Sequence, residues 1–86
     1  MKSQIMKVNL SWLSTQEVEV PNFARSLSVK HVGGKLVLFT MGNPEAPTEK
    51  RTVRIIKDEP MGVMINSTFV GTVVKDDEAF HVFVKD

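Results

Sequence analysis

Arg51 and Arg54 are the residues of this sequence best suited to binding a phosphate group. A guanidinium donates two parallel hydrogen bonds to phosphate oxygens, which a lysine ammonium cannot do in a fixed plane. On a regular strand, side chains three positions apart point to opposite faces. We therefore expect only one of the two to line a given pocket. The alternative for each is a surface charge facing an acid such as Glu45 or Glu49.

Five further residues could complete a ligand site. Lys7 could pair with phosphate, and Trp12 or Phe39 could stack on a nucleobase, an interaction worth about 1–3 kcal/mol per base. Thr72 and His81 could add polar contacts. Each also has a simpler interpretation, because aromatic residues are mostly core residues and a strand histidine can belong to a cross-strand pair.

Catalytic and metal-binding patterns are scarce in this chain. It has no cysteine and two histidines, and it lacks the Gly-x-Ser-x-Gly, His-x-His and His-Glu-x-x-His patterns. The acidic run Asp76-Asp77-Glu78 is typical of a solvated turn, and Gly33-Gly34 favours a hairpin turn over a phosphate loop. We expect a protein that is not an enzyme and uses neither metal nor cofactor.

Short β-strands must position these residues. Alternation places Val53 and Ile55 on one face with Arg54 on the other, and it puts Leu27 together with Val29. The stretch KLVLFTM is apolar on both faces, which predicts a central strand or one covered by a partner. FVGTVVK and AFHVFVK are expected to pair across DDE, with His81 facing away from the core.

The whole pattern predicts a mainly β fold, a small antiparallel barrel or sandwich of about seven short strands, in a single domain over residues 1–86. At this length the hydrophobic core alone gives only marginal stability, so self-association is expected.

The net charge of +1 disfavours generic nucleic-acid binding. No apolar run has the length of a signal peptide or membrane span, so we expect a protein that stays inside the cell.

Several segments, read in order, carry a family resemblance: MKVNL, QEVEVP, FARSLSV, GGKLVLFTMGNPEAP, KRTVRI, FVGTV and FHVFV. They resemble a small domain of unknown function that is widespread in bacteriophage genomes. The matching positions are Lys7, Pro21, Ala24, Leu27, Val29, Pro44, Arg51, Ile55, Gly71, Thr72, Phe80, His81, Val82 and Phe83. Phe39 stands where that family usually has tryptophan, and Asn43 where it usually has aspartate.

That family is similar to oligomeric sponges that sequester cyclic nucleotides and so blunt cyclic-oligonucleotide antiphage signalling (CBASS). The resemblance implies a phage protein acting in the cytoplasm of the infected bacterium, which binds a cyclic dinucleotide or related signal as a dimer or tetramer. Arg51 or Arg54 and Lys7 would hold phosphate, Phe39 or Trp12 would stack on a base, and Thr72 and His81 would add polar contacts.

Other functions compete with this interpretation. The apolar stretch from Met61 to Ile65 could form an interface, and a small inhibitor could use it to bind a host protein directly. A single-strand nucleic-acid binder would need a basic groove with interleaved aromatics. Enzymatic degradation of the signal would need catalytic groups that the chain lacks.

Overall fold

The computed structural model describes residues 3–57 and 67–85, and these residues form β-strands joined by short turns. The strands are β1 (Gln4–Leu10), β2 (Thr15–Pro21), β3 (Arg25–Val32), β4 (Lys35–Gly42), β5 (Thr48–Ile56), β6 (Ser67–Lys75) and β7 (Glu78–Lys85). All neighbouring strands are antiparallel. The predicted mainly β fold of seven strands is confirmed.

Two sheets pack as a sandwich rather than as a closed barrel. One has three strands in the order β1-β4-β3, and the other has four in the order β2-β5-β7-β6. The strand β4 is the centre of its sheet, as its apolar faces predicted. The two sheets lie close together where β3 faces β6. A Cβ atom added to Gly71 on β6 would lie only 3.2 Å from Cγ1 of Val29 on β3.

The core lies between the sheets and draws on both of them. Leu36 and Leu38 from β4 meet Val53 from β5 and Val82 from β7, and all four are almost completely buried. In the antiparallel pairs, residues directly opposite each other share a face. The alternation in the sequence therefore placed most inward-facing residues correctly, including Ile55.

Two β-bulges break the alternation, one in each of the strands that face each other. In β3, Ser26 lies opposite Thr40 and Ser28 lies opposite Phe39, so Leu27 is an extra residue. The prediction that Leu27 shares a buried face with Val29 is wrong, because the bulge leaves Leu27 44% exposed. In β6 the shift lies between Phe69 and Gly71.

Two tight turns close hairpins by means of positive φ angles. Gly33 and Gly34, between β3 and β4, have φ of 56° and 78°, as a two-residue hairpin turn requires. Asp76 and Asp77, between β6 and β7, have φ of 53° and 63°, a conformation that aspartate tolerates better than most residues. Both predicted hairpins are confirmed. Among the described residues, no helix is long and apolar enough to cross a membrane.

Candidate functional site

The structure distributes the seven residues singled out in the sequence over four places. Lys7 and Phe39 share the outer face of the three-stranded sheet, Trp12 lies at one end of the sandwich, Arg51 lies between the sheets, and Arg54, Thr72 and His81 share the outer face of the four-stranded sheet. They do not form one pocket. Arg51 and Arg54 point to opposite faces, as their spacing predicted.

Arg51 is held rigidly on the inner side of the four-stranded sheet. It lies opposite Val18 in the pairing of β2 with β5, and its side chain is 13% exposed. Its Nε donates a hydrogen bond of 3.0 Å to Glu49 Oε2, and its Nη1 donates one of 2.6 Å to the carbonyl oxygen of Ala24. The second bond ties β5 to the residue that precedes β3, so the guanidinium is fixed at two of its nitrogen atoms.

A cleft of about 230 Å³ opens beside this guanidinium. Its lining comes from both sheets and consists of Ala24, Arg25, Ser26, Arg51, Thr68 and Val84. Two arginines and two hydroxyl-bearing residues thus contribute to the lining, together with the apolar Ala24 and Val84. A cleft lining of this composition suits an anion with several acceptor oxygens, such as a phosphate.

The two bulges explain why Ser26 and Thr68 line the cleft. Regular alternation from Val29 would put position 27 inward and position 26 outward, but the bulge at Leu27 places Ser26 on the inner face, opposite Thr40. The bulge in β6 has the same effect, because it places Thr68 opposite the buried Val84. Bulges often re-aim side chains beside functional sites.

Sequence reasoning missed three residues of this cleft, Arg25, Ser26 and Thr68. The alternating pattern predicted a different face for Ser26, and no local signal in SLSV marks a bulge. Arg25 and Arg51 are far apart in the chain, and only the packing of β3 against the inner side of the second sheet brings them together.

The outer face of the four-stranded sheet carries the second group of predicted residues. A hydrogen bond of 2.8 Å joins Thr72 Oγ1 and His81 Nδ1, which lie directly opposite each other on β6 and β7. Arg54 lies opposite Phe83, whose ring centroid is 5.3 Å from that of Phe69. His81 therefore has the cross-strand partner that the simpler interpretation of the sequence favours.

Trp12 packs against the core at the other end of the sandwich. Its ring makes edge contacts with His31 and Phe80, each at a centroid distance of 5.3 Å, and Lys75 Nζ lies 4.5 Å from its centroid. His31 Nδ1 also donates a hydrogen bond of 3.1 Å to the carbonyl oxygen of Val74, which links β3 to β6. Trp12 thus has the core contacts that the simpler interpretation of the sequence favoured.

Two further features considered in the sequence are the apolar interface segment and metal binding. The proposed interface from Met61 to Ile65 lies outside the described residues. Within residues 3–57 and 67–85, no group of three or more histidine, aspartate or glutamate side chains is placed to hold a metal ion.

A comparison with protein families shows which family the chain matches. The model of a domain of unknown function, DUF7352, matches residues 1–86. The chain belongs to this family. No curated protein and no solved structure matches it.

Proposed function

We propose that this member of the family is a non-enzymatic binding protein that sequesters a cyclic oligonucleotide immune signal. In this proposal a bacteriophage encodes the protein, which works in the cytoplasm of the infected bacterium and blunts its antiphage defence. The phage setting and the immune signal are supported by the resemblance of the sequence segments given above. The observation that carries the proposed binding activity is the cleft that Arg51 lines together with Ser26 and Thr68.

The contacts of Arg51 leave it suited to hold a phosphate. Glu49 and Ala24 accept hydrogen bonds from Nε and from Nη1, which fixes the plane of the guanidinium. Further N–H groups of the same fork then serve the ligand, and little side-chain entropy remains to be lost on binding. Arg25, which is exposed at the rim, adds a second positive charge. Glu49 offsets part of this charge, so the site prefers an anion without being strongly basic.

The size of the cleft indicates what part of a ligand it accepts. Pockets for drug-sized ligands measure about 300–1,000 Å³, whereas this cleft measures about 230 Å³. One cleft therefore suits one phosphate with its sugar rather than a whole cyclic dinucleotide. A two-fold dimer would present two copies of the cleft to a ligand that itself has two phosphates. The proposal thus includes a homodimer, or a tetramer built from such dimers.

Retention of the ligand after filtration is the direct test. Purified protein is mixed with a panel of cyclic di- and trinucleotides and collected on a filter, and the retained material is released by heating and identified by chromatography. We expect intact nucleotide to appear only after heating. Degraded nucleotide would show an enzyme instead, and absence of any retained nucleotide would overturn the proposal.

Three arginine variants locate the site. Arg51→Lys keeps the charge but loses the planar fork, and Arg25→Gln removes the exposed charge of the rim without touching a buried contact. Both should lose at least about tenfold in affinity, since a charge-assisted hydrogen bond contributes about 1.5–3 kcal/mol. Arg54→Gln, on the opposite face of the same strand, is the matched control and should bind normally. Loss of binding in Arg54→Gln alone would move the site to the outer face with Thr72 and His81.

A further inference from the structure

The outer face of the three-stranded sheet has an unusual distribution of charge. The strands β1, β3 and β4 contain four cationic residues and no acidic residue. These four are Lys7, Arg25, Lys30 and Lys35, and all are exposed. The acidic residues among the described ones lie on β2, β5 and β7 or in turns. Although the net charge of the whole chain is only +1, the charged residues of this sheet are therefore all positive.

The register shows that all four cations lie on the outer side. Lys7 lies opposite Phe39, Lys30 opposite Val37 and Arg25 opposite Met41. These three residues of β4 alternate with the buried core residues Leu36, Leu38 and Thr40, so they face away from the core. Lys35 is two positions from Val37 and shares its face. The cations thus flank a central apolar row on both sides and at one end.

Phe39 lies in the middle of this face and gives it a second property. It is half-buried, with Lys7 directly opposite on one side and Ser28 on the other. A base can stack on such a ring while lysines beside it pair with the backbone phosphates, which is how many proteins bind single strands without sequence preference. Stacking needs no hydrogen-bond code, because every base has a flat face.

We infer that this face binds single-stranded nucleic acid. We call it the cationic face and define it by Lys7, Arg25, Lys30, Lys35 and Phe39. Its charge complements a polyanion, and Phe39 between the cations offers a ring on which a base can stack. The cationic face shares Arg25 with the proposed phosphate cleft, whereas Lys7, Lys30, Lys35 and Phe39 do not line that cleft.

Fluorescence anisotropy of a labelled thymidine 12-mer tests the inference. We expect binding with a Kd of about 10⁻⁴–10⁻⁶ M at physiological salt, the usual range for non-specific association. The logarithm of the affinity should fall with the logarithm of salt concentration, with a slope of about −0.7 for each phosphate neutralised. Lys7→Gln and Lys30→Gln should each reduce that slope by about one such unit. Both residues are exposed, so both variants are expected to fold.

A second variant separates stacking from charge. Phe39→Leu should weaken binding about fivefold or more and leave the salt slope unchanged, because it removes the stacking ring and no cation. Lys50→Gln is the matched control: Lys50 lies on the outer face of the other sheet, opposite Glu19, and its loss should change neither quantity.

Several outcomes would overturn the inference. They are no change in anisotropy at any salt concentration, equal weakening by Lys50→Gln and Lys7→Gln, and sedimentation with anionic vesicles without oligonucleotide binding. Arg51→Lys should leave oligonucleotide binding intact while it weakens retention of cyclic nucleotides. Failure of the cationic face and failure of the phosphate cleft are therefore distinguishable.

Discussion

The two ends of the sandwich are built from the same sheets but are filled differently. At one end the indole ring of Trp12 occupies the space between them, in contact with His31 and Phe80. At the other end the corresponding space is the cleft beside Arg51. The strands are regular near Trp12, whereas both facing strands are bulged near the cleft. A single extra residue in each of two facing strands thus distinguishes the open end from the packed one.

Removal of the indole ring should have the largest effect on stability. Trp12→Ala empties the packed end, and truncation of a large aromatic residue against a core costs about 3 kcal/mol. Urea unfolding should show a lower midpoint, whereas Trp12→Phe should recover most of the loss. Retention of cyclic nucleotide should be unchanged under folding conditions. A midpoint equal to that of the wild type would show that Trp12 does not support this end.

Removal of a buried hydroxyl group should increase the free energy of unfolding. Thr40 is 1% exposed, and its Oγ1 has no hydrogen-bond partner among the described residues. An unsatisfied buried hydroxyl costs about 1–3 kcal/mol, so Thr40→Val should stabilise the protein by about 1 kcal/mol in the same unfolding experiment. Thr40→Ser, which keeps the hydroxyl and loses a methyl group, is the control and should destabilise. A loss of stability in Thr40→Val would mean that the hydroxyl is satisfied in solution.

The hydroxyl groups of the cleft should affect binding more than stability. Ser26→Ala combined with Thr68→Val keeps the size of the cleft nearly constant and removes two donors from its wall. We expect retention of cyclic nucleotide to weaken about fivefold, which corresponds to about one neutral hydrogen bond of 1 kcal/mol. Equilibrium dialysis measures the change. Unchanged affinity would show that these hydroxyls do not contact the ligand.

The smallest effect is expected at the bulge of β3. Leu27→Ser should change the free energy of unfolding by less than about 0.5 kcal/mol, because Leu27 is 44% exposed. Its neighbour Val29, with an identical place in the alternating pattern, is buried, so Val29→Ala should cost more than about 1 kcal/mol. Equal losses in the two variants would show that the strand is regular in solution.

Much of the fold could be predicted from local patterns. Alternation of apolar residues identified all seven strands, the inward faces of β5 and β7, and the central place of β4. The opposite directions of Arg51 and Arg54 followed from a period of two. The ligand-binding roles assigned to them and to the other five candidate residues remain predictions.

The arrangement of the site could not be predicted, because it depends on non-local pairing. A bulge depends on how the partner strand fits, so the sequence SLSV gives no sign that Ser26 turns inward. The cationic face depends on strand order. Lys7 and Lys30 share a face only because β1 and β3 both pair with β4. The net charge of the chain does not reveal this face, because the acidic residues of the other sheet offset its positive charges.

The hydrogen bond between His31 and Val74 joins residues 43 positions apart. Its two strands belong to different sheets, and the first sheet is complete at Gly42, whereas the second needs strands as late as β7. During synthesis the first sheet would therefore emerge with its apolar inner side uncovered until the second arrives. Because contacts between the two sheets join distant parts of the chain, they slow folding and prolong the exposure of apolar surface that can aggregate. The protein should accordingly fold on a timescale of milliseconds to seconds and depend on chaperones when it is made quickly.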